Sequence, residues 1–489
     1  MQDVSLVFDI GKTNKKLILF DQNLRVVHES SVNIPEISGK NGLIYDDLPH
    51  MLQWLDDALQ EIGAQTDFAV RAINVTTFGA TVVHVHEAGD PATPVYSYLS
   101  DPGEAFHQKY LDHFSELPGG FARLATPPLG MFLNAAKQLY WLTNEHSGLA
   151  ANIHQTLFLP QFIIAHLTGK SFSEATSLGC HTGLWDFEQS QLSEPALSAA
   201  QWRDKLPDLL PENAVLSLKP AYRQRFHGEQ NILVGTGLHD SSSALVPFSR
   251  ALSNEHFVLL STGTWIIAQN PGAEFNLSER DLAEDRLYYL TPQRKPVRAA
   301  RLFAGREHEV QLERIANYFG RAPEPASTAS ARAVEAFLHG FFAESGERAL
   351  VPETLHGSGP FPNCHSGNWD LSQFESAEEA YARLCLDLAA LTSYCIDSVA
   401  SEETTKVVVD GGFVRNAWFT HLLAMLQAPR EVVLTEVPQA TAMGAALMLH
   451  IHWAGQASAA FSLDLQPITA EPVTGLRLYA ERFLANLQD

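Results

Sequence analysis

Cysteine is scarce. Four stand among the 489 residues, Cys180, Cys364, Cys385 and Cys395, and no two form a CxxC pair. That spacing excludes a zinc ribbon or a disulfide framework as the organising device, and the four read as reduced, mostly structural thiols. Long apolar runs are missing as well. Neither end carries the roughly 18 apolar residues that span a bilayer, and Met1 to Val7 lacks the basic start of a signal peptide. Positive charge is short: 33 Lys and Arg face 56 Asp and Glu, a net of −23. Such a balance opposes non-specific binding to nucleic acid or an anionic membrane, so neither is expected as a partner. The expected location is the cytoplasm. Any anionic small ligand would need local help from backbone amides, a few cations and Mg²⁺.

Several familiar motifs begin and then fail. Gly11-Lys12-Thr13 looks like the end of a P-loop, but Leu6 stands where that motif needs its first glycine. Gly169-Lys170-Ser171 fails in the same way, with Ile164 in the glycine's place. Gly235-Thr236-Gly237 starts like a dinucleotide fingerprint, but Asp240 replaces the third glycine. His84 and His86, two apart, would share one face of a strand. With no third ligand nearby, a satisfied surface or pocket role is favoured over metal binding.

What is present has α/β character. At roughly 100–200 residues per domain the chain holds two to four domains, and its 45% hydrophobic content suffices for sizeable cores. Leu6 to Phe8, Leu17 to Phe20 and Arg25 to Ser31 read as strands, and Asp46 to Ile62 carries a helical apolar stripe. Val70 to Val75 is again a strand. Phe132 to Leu167 reads as mainly helical, with Leu139, Leu142 and Leu149 on one helix and Phe158 to Leu167 on another that ends at Gly169. Gln189 to Gln230 reads as short helices and loops. A second unit begins near Ser249 and repeats the opening pattern: "VLLSTGTWIIA" is a strand, glycine turn and strand like "LVFDIGKTNKKLILF", with Gly263 matching Gly11. Later come a helix over Ala377 to Val399, a strand at Val407 to Val409, Gly411-Gly412, a helix from Asn416 to Gln427, a strand at Val432 to Leu434 and a helix over Ala440 to Trp453. The Ala/Ser-rich stretch Pro323 to Ala333 reads as a loop.

The glycine turns suggest a chemistry. Their backbone N–H groups can converge on an anion, Asp9 at the end of a strand can reach Mg²⁺ directly or through water, and Lys16 can pair with phosphate. Asp240, in "GTGLHDSSSAL", opens a helix. On local sequence alone, capping is favoured there over catalysis.

Read together and in order, these segments resemble the FGGY carbohydrate kinases over nearly the full length. "DIGKTNKK" is similar to that family's first phosphate motif and "LSTGTW" to its second. "GLHD" resembles the segment with the catalytic aspartate, "DGGFVRN" the adenosine motif, "QATAMGAAL" the final helix, and "LYWLTNE" with "LFLPQFIIAHLTGK" the helical signature. The resemblance implies two ribonuclease-H-like, actin-like ATPase domains around a cleft, residues 1–247 and 248–489. It implies ATP and Mg²⁺ as cofactors and a small sugar as substrate. Asp240 would be the general base and Asp9 would organise the metal. Gly11, Thr13, Asn14, Lys16, Thr262, Gly263 and Thr264 would hold phosphates, and Gly411, Gly412 and Asn416 the nucleoside. Gly79, Asp101, His239 and Asp240 would line the sugar site.

The chain departs from the pattern at Lys12, where a small residue is usual, at Lys16 and Gln138, which replace an arginine and a lysine, and at Gly103, which replaces an arginine. His239-Asp240 looks like the kinases of 6-deoxy-ketohexoses, which points to L-rhamnulose first and L-fuculose next, phosphorylated at O1. His239 would either hydrogen-bond a sugar hydroxyl or serve packing. Another ketose or a polyol stays open as acceptor. A non-catalytic actin-like regulator and a filament protein are the readings of other classes, and retention of Asp240 speaks against the regulator. A homodimer is one open state of assembly.

Overall fold

The computed structural model describes residues 1–40, 42–227, 231–324, 348–357, 359–455, 461–470, 473 and 475–488. The stretch from Pro323 to Ala333 therefore lies outside the described residues from 325 onward. The chain forms two compact units. One comprises Met1–Ala251, Tyr288–Pro296 and Pro438–Ser462; the other comprises Leu252–Leu287, Val297–Val437 and Leu463–Asp489.

The first unit is built on a seven-stranded sheet. Its path runs Leu216–Ser217, Leu233–Val234, Phe68–Thr77, Gln2–Ile10, Asn14–Asp21, Val26–Asn33, and Leu238–His239 also pairs with Phe68–Thr77. The first two strands in sequence form an antiparallel hairpin, while Gln2–Ile10 runs parallel to Phe68–Thr77. Alternation sorts the first strand's side chains between two faces. Val4, Leu6, Phe8 and Ile10 point into a core shared with helices Leu48–Ala64 and Leu159–Thr168. Val7 and Asp9 point the other way. On that face Asn74, the register partner of Val7, donates its amide to the carbonyl of Ala445 in helix Ala440–Trp453. That helix reaches the sheet beside helix Asp240–Ala251, and the two approach so closely that a Cβ on Gly444 would stand 1.8 Å from the Ser243 carbonyl. A segment late in sequence thus completes the early unit, because only small residues there permit backbone contact with it.

The second unit repeats the arrangement. Strands Phe257–Thr262 and Ile266–Asn270 form the hairpin, and Lys406–Gly411 lies parallel to the first of them. Pro296–Leu302 extends one side, with Glu431–Thr435 and Gln466–Pro467 on the other. Helix Ala377–Val399 is buried along most of its length, and its Arg383 and Asp387 pair at 2.9 Å inside the core. Burial of such a pair demands good geometry, since desolvating either charge alone is costly.

Some expectations change. The helix expected to include Leu149 ends at Glu145; Leu149 lies in a separate turn, Ser147–Ala151, and strand Gln155–Phe158 precedes the next helix. His84 and His86 do not share a strand face, because strand Val82–Val85 stops before His86. His84 is buried with Nδ1 2.8 Å from the Thr156 hydroxyl, while His86 is exposed. Among the described residues no helix is long and apolar enough to cross a membrane.

Candidate active site

Strand register brings the first cluster together. Asp9 pairs with Lys16 across the hairpin and with Thr76 on the parallel strand, and the next residue, Thr77, pairs with His239. Asp240 follows at the start of helix Asp240–Ala251. Asp9, Lys16, His239 and Asp240 are thus collected at one end of the sheet, with the tip of the first hairpin. At that tip the Gly11 N–H donates to the Asn14 carbonyl at 3.0 Å, and Thr13 and Asn14 are exposed. Lys16 Nζ donates to Gln439 Oε1 at 3.0 Å and lies 3.5 Å from Glu29.

Asp240 does not sit at the capping position, because the helix already begins with it. Its Oδ1 accepts from the Ser241 N–H at 2.6 Å and lies 3.0 Å from His239 Nε2. Among the described residues, no hydrogen bond runs to Oδ2. One oxygen is therefore clamped and the other is open, on a side chain that is 35% exposed. A carboxylate in a helix's first turn is also favoured by the macrodipole.

His239 is buried, and its surroundings explain the clamp. Its Nδ1 lies 3.1 Å from Ser242 Oγ, and its Nε2 also lies 3.0 Å from Cys180 Sγ. Burial disfavours charge on this ring, but Cys180 and Asp240 outweigh it and raise the imidazole to about 10. Nε2 faces Asp240 Oδ1, and Nδ1 faces Ser242, whose backbone N–H also points at it from 3.4 Å. The His239 N–H donates to Thr176 Oγ1, and that hydroxyl donates to the buried carboxylate of Glu174. Gly79 lies alongside: a Cβ there would stand 2.8 Å from Cys180 Sγ and 3.0 Å from His239 Cδ2. Only glycine lets the backbone pack that closely against the imidazole and the thiol.

Burial, and then the charge of Asp240, pushes Asp9 up to about 7, with Lys16 opposing. A buried carboxylate whose charge is disfavoured in this way suits a nearby cation. Among the described residues no three acidic, His or Cys side chains gather for a metal. Asp9 is a carboxylate of the kind that can hold a divalent cation together with water. Asp101 stands apart from the Asp240 cluster in its contacts: it is exposed, and its Oδ1 accepts from the Gly103 N–H at 2.8 Å.

The second unit holds the second cluster. Gly263, Thr264 and Trp265 form an exposed turn closed by the Gly263 N–H to the Trp265 carbonyl at 3.0 Å. Thr262 is buried; its hydroxyl donates to the Asp410 carbonyl and accepts from the Phe413 N–H. Gly411 has φ 100°, and a Cβ on it would come within 2.3 Å of the Thr262 carbonyl. Gly412 follows directly. Asn416 caps helix Ala417–Gln427 by accepting from the Phe419 N–H, and its amide donates to Tyr381. The register of Thr262 with Gly411 places both glycine motifs at one end of this sheet.

Sequence reasoning missed Cys180, Glu174, Thr176 and Tyr98. Tyr98 is close enough to Asp240 to feel its charge, yet burial comes first in raising its phenol to about 12. No motif marks these residues; only the fold brings them beside Asp240.

The comparisons with known proteins agree with this architecture. The model of the FGGY family of carbohydrate kinases, N-terminal domain, matches residues 4–247, and that of the carbohydrate kinase FGGY C-terminal domain matches residues 254–458. The chain belongs to the FGGY family of carbohydrate kinases. It is 27% identical over 283 residues to the L-fuculokinase of Escherichia coli, spanning 57% of this chain and 58% of that relative. It is 24% identical over 292 residues to a rhamnulokinase of Lactiplantibacillus plantarum, spanning 57% and 55%. The matched stretches thus cover little more than half of these relatives. A solved carbohydrate kinase from Novosphingobium aromaticivorans aligns with 100% of this chain and 99% of its own, at a TM-score of 0.80 and 26% identity.

Proposed function

We propose that the protein is an ATP-dependent kinase of a small ketose, with Asp240 as general base. The observation that carries this reading is the asymmetry of Asp240: Oδ1 is held by Ser241 and His239, and Oδ2 takes no hydrogen bond among the described residues. Oδ2 takes the proton of the acceptor hydroxyl. The acceptor oxygen then forms its bond to the γ-phosphorus as the bond to the bridging oxygen of ADP breaks. His239 keeps Asp240 oriented, and Gly79, packed directly against the His239 ring, is assigned to the acceptor site. The exposed turns Gly11–Asn14 and Gly263–Trp265 offer N–H groups to the phosphates, and Lys16 offers a charge. Gly411, Gly412 and Asn416 are assigned to the nucleoside, and Asp101 to the outer sugar contacts. Mg²⁺, when bound, neutralises the phosphate charge, and Asp9 is the residue that would hold it.

For the acceptor we favour a 6-deoxy-ketohexose, L-rhamnulose or L-fuculose, phosphorylated at O1. The support is the His239-Asp240 pair and relatives named L-fuculokinase and rhamnulokinase. ADP release should be measured across L-rhamnulose, L-fuculose, L-ribulose, D- and L-xylulose, D-ribulose and glycerol. A deoxy-ketohexose preference supports the assignment, and another preferred sugar removes its substrate part. Asp240→Asn is expected to lower kcat by about 10²- to 10⁴-fold while nucleotide affinity is retained. Turnover unchanged in that variant would refute Asp240 as base.

A further inference from the structure

Lys12 lies in the first hairpin turn but does not behave as a phosphate ligand. Its ammonium has three donors. Asp46 Oδ1 and Glu36 Oε1 each lie 2.7 Å from Nζ, and Ser97 Oγ accepts at 3.0 Å. No donor remains for an anion. The same cation sits 4.7 Å from the centre of the Phe78 ring and 4.6 Å from that of Tyr98, and the two rings meet edge to face. Phe78 directly precedes Gly79, and Tyr98 feels the charge of Asp240. Ser97 is buried, and its hydroxyl donates to Glu36 at 2.5 Å, so the partners are tied to each other as well. Asp46 is also buried, and among the described residues its Oδ2 has no hydrogen-bond partner.

We propose that Lys12 is a positioning residue that sets acceptor affinity and selectivity, by locking the Phe78–Tyr98 aromatic wall to the first phosphate turn. The proposal rests on the kinase reading above. The cation is attracted to both ring faces, and its carboxylate partners anchor it to strand Ile44–Asp46 and to the segment after Val26–Asn33. Movement of the turn is thereby passed to the wall, and the wall's position is fixed before the sugar arrives. Such preorganisation lowers the ordering cost of binding the acceptor. It leaves the nucleoside contacts of the second unit untouched.

The test is steady-state kinetics of Lys12→Met and Lys12→Arg with the preferred ketose. In Lys12→Met the acceptor KM is expected to rise about tenfold and that of ATP less than twofold, with Lys12→Arg recovering most of the loss. The preference for that ketose over the next best sugar is expected to narrow by a similar factor. Removing the cation strands the buried Asp46 carboxylate, which can unfold the variant. The pair Lys12→Met with Asp46→Asn removes that charge and is expected to show the same asymmetry. An acceptor KM that stays unchanged in a folded variant, or equal rises for sugar and ATP, overturns the proposal. A wild-type protein that phosphorylates no ketose overturns the kinase reading and this one with it, whereas an active wild type with indifferent variants overturns this one alone.

Discussion

Asp240 and His84 show how differently two polar side chains can be held. Around Asp240 the neighbours engage one oxygen and leave its twin open, so the residue stays available for proton transfer. His84 is fully enclosed. Its Nδ1 meets the Thr156 hydroxyl, which also accepts from Trp202 Nε1 at 2.7 Å, and its Nε2 is buried with no partner among the described residues. Burial, then the charge of Lys205, depresses its pKa to about 3. The unfolded chain takes up this proton near the ordinary histidine value and the folded chain resists it. Stability should therefore fall as pH drops from about 6.5 towards 3, by up to about 1.4 kcal/mol per unit. His84→Asn, which keeps an acceptor towards Thr156, is expected to flatten that acid limb in urea melts at pH 4 to 7. A limb of unchanged slope would place the acid sensitivity elsewhere.

At the scale of elements, the candidate site depends on close helix packing. Helix Ala440–Trp453 buries Ala442, Gly444, Ala445 and Ala446 against its neighbours, and the absent side chain at Gly444 lets the Ser243 carbonyl approach. Ser243 lies three residues from Asp240. Gly444→Ala is expected to destabilise the protein by about 1–3 kcal/mol through overpacking, visible as a lowered Tm. Activity should fall as well, because the start of helix Asp240–Ala251 must shift to relieve the contact. A variant with native Tm and kcat would show that the helices separate at no cost. Some elements were legible in the sequence: helices Ala377–Val399 and Ala440–Trp453 match their expected bounds. Both glycine hairpins were legible too. The break at His146 was not, because Leu149 continues the apolar spacing and the break is made by the chain turning into strand Gln155–Phe158. Asp240, Asp9 and Gly79 stood out by motif. Cys180 and Tyr98 could not, since their relation to Asp240 exists only after strands far apart in sequence have paired. Lys12 stood out as a departure, but its partners Glu36, Asp46 and Ser97 carry no signal of their own.

Over the whole molecule, the two units are not consecutive pieces of chain. Residues 438–462 return to the first unit after the second has been largely traversed. A chain cut after Val437 should therefore lose the cooperative melting of the first unit and expose residues 1–251 to protease, even though all of that stretch is present. Persistent protease resistance of 1–251 in the cut chain would show that the returning helix is dispensable. The same non-contiguity has a temporal side. A ribosome delivers roughly 5–20 residues per second, and Asp240's helix emerges long before helix Ala440–Trp453, which covers it. For most of synthesis the sheet face bearing Val7 and Asn74 waits without its cover, so a nascent chain carries Asp240 on a helix that still lacks its packing partner. Completion of the first unit is then one of the last events in the birth of each molecule, after a long interval in which that sheet face stands exposed.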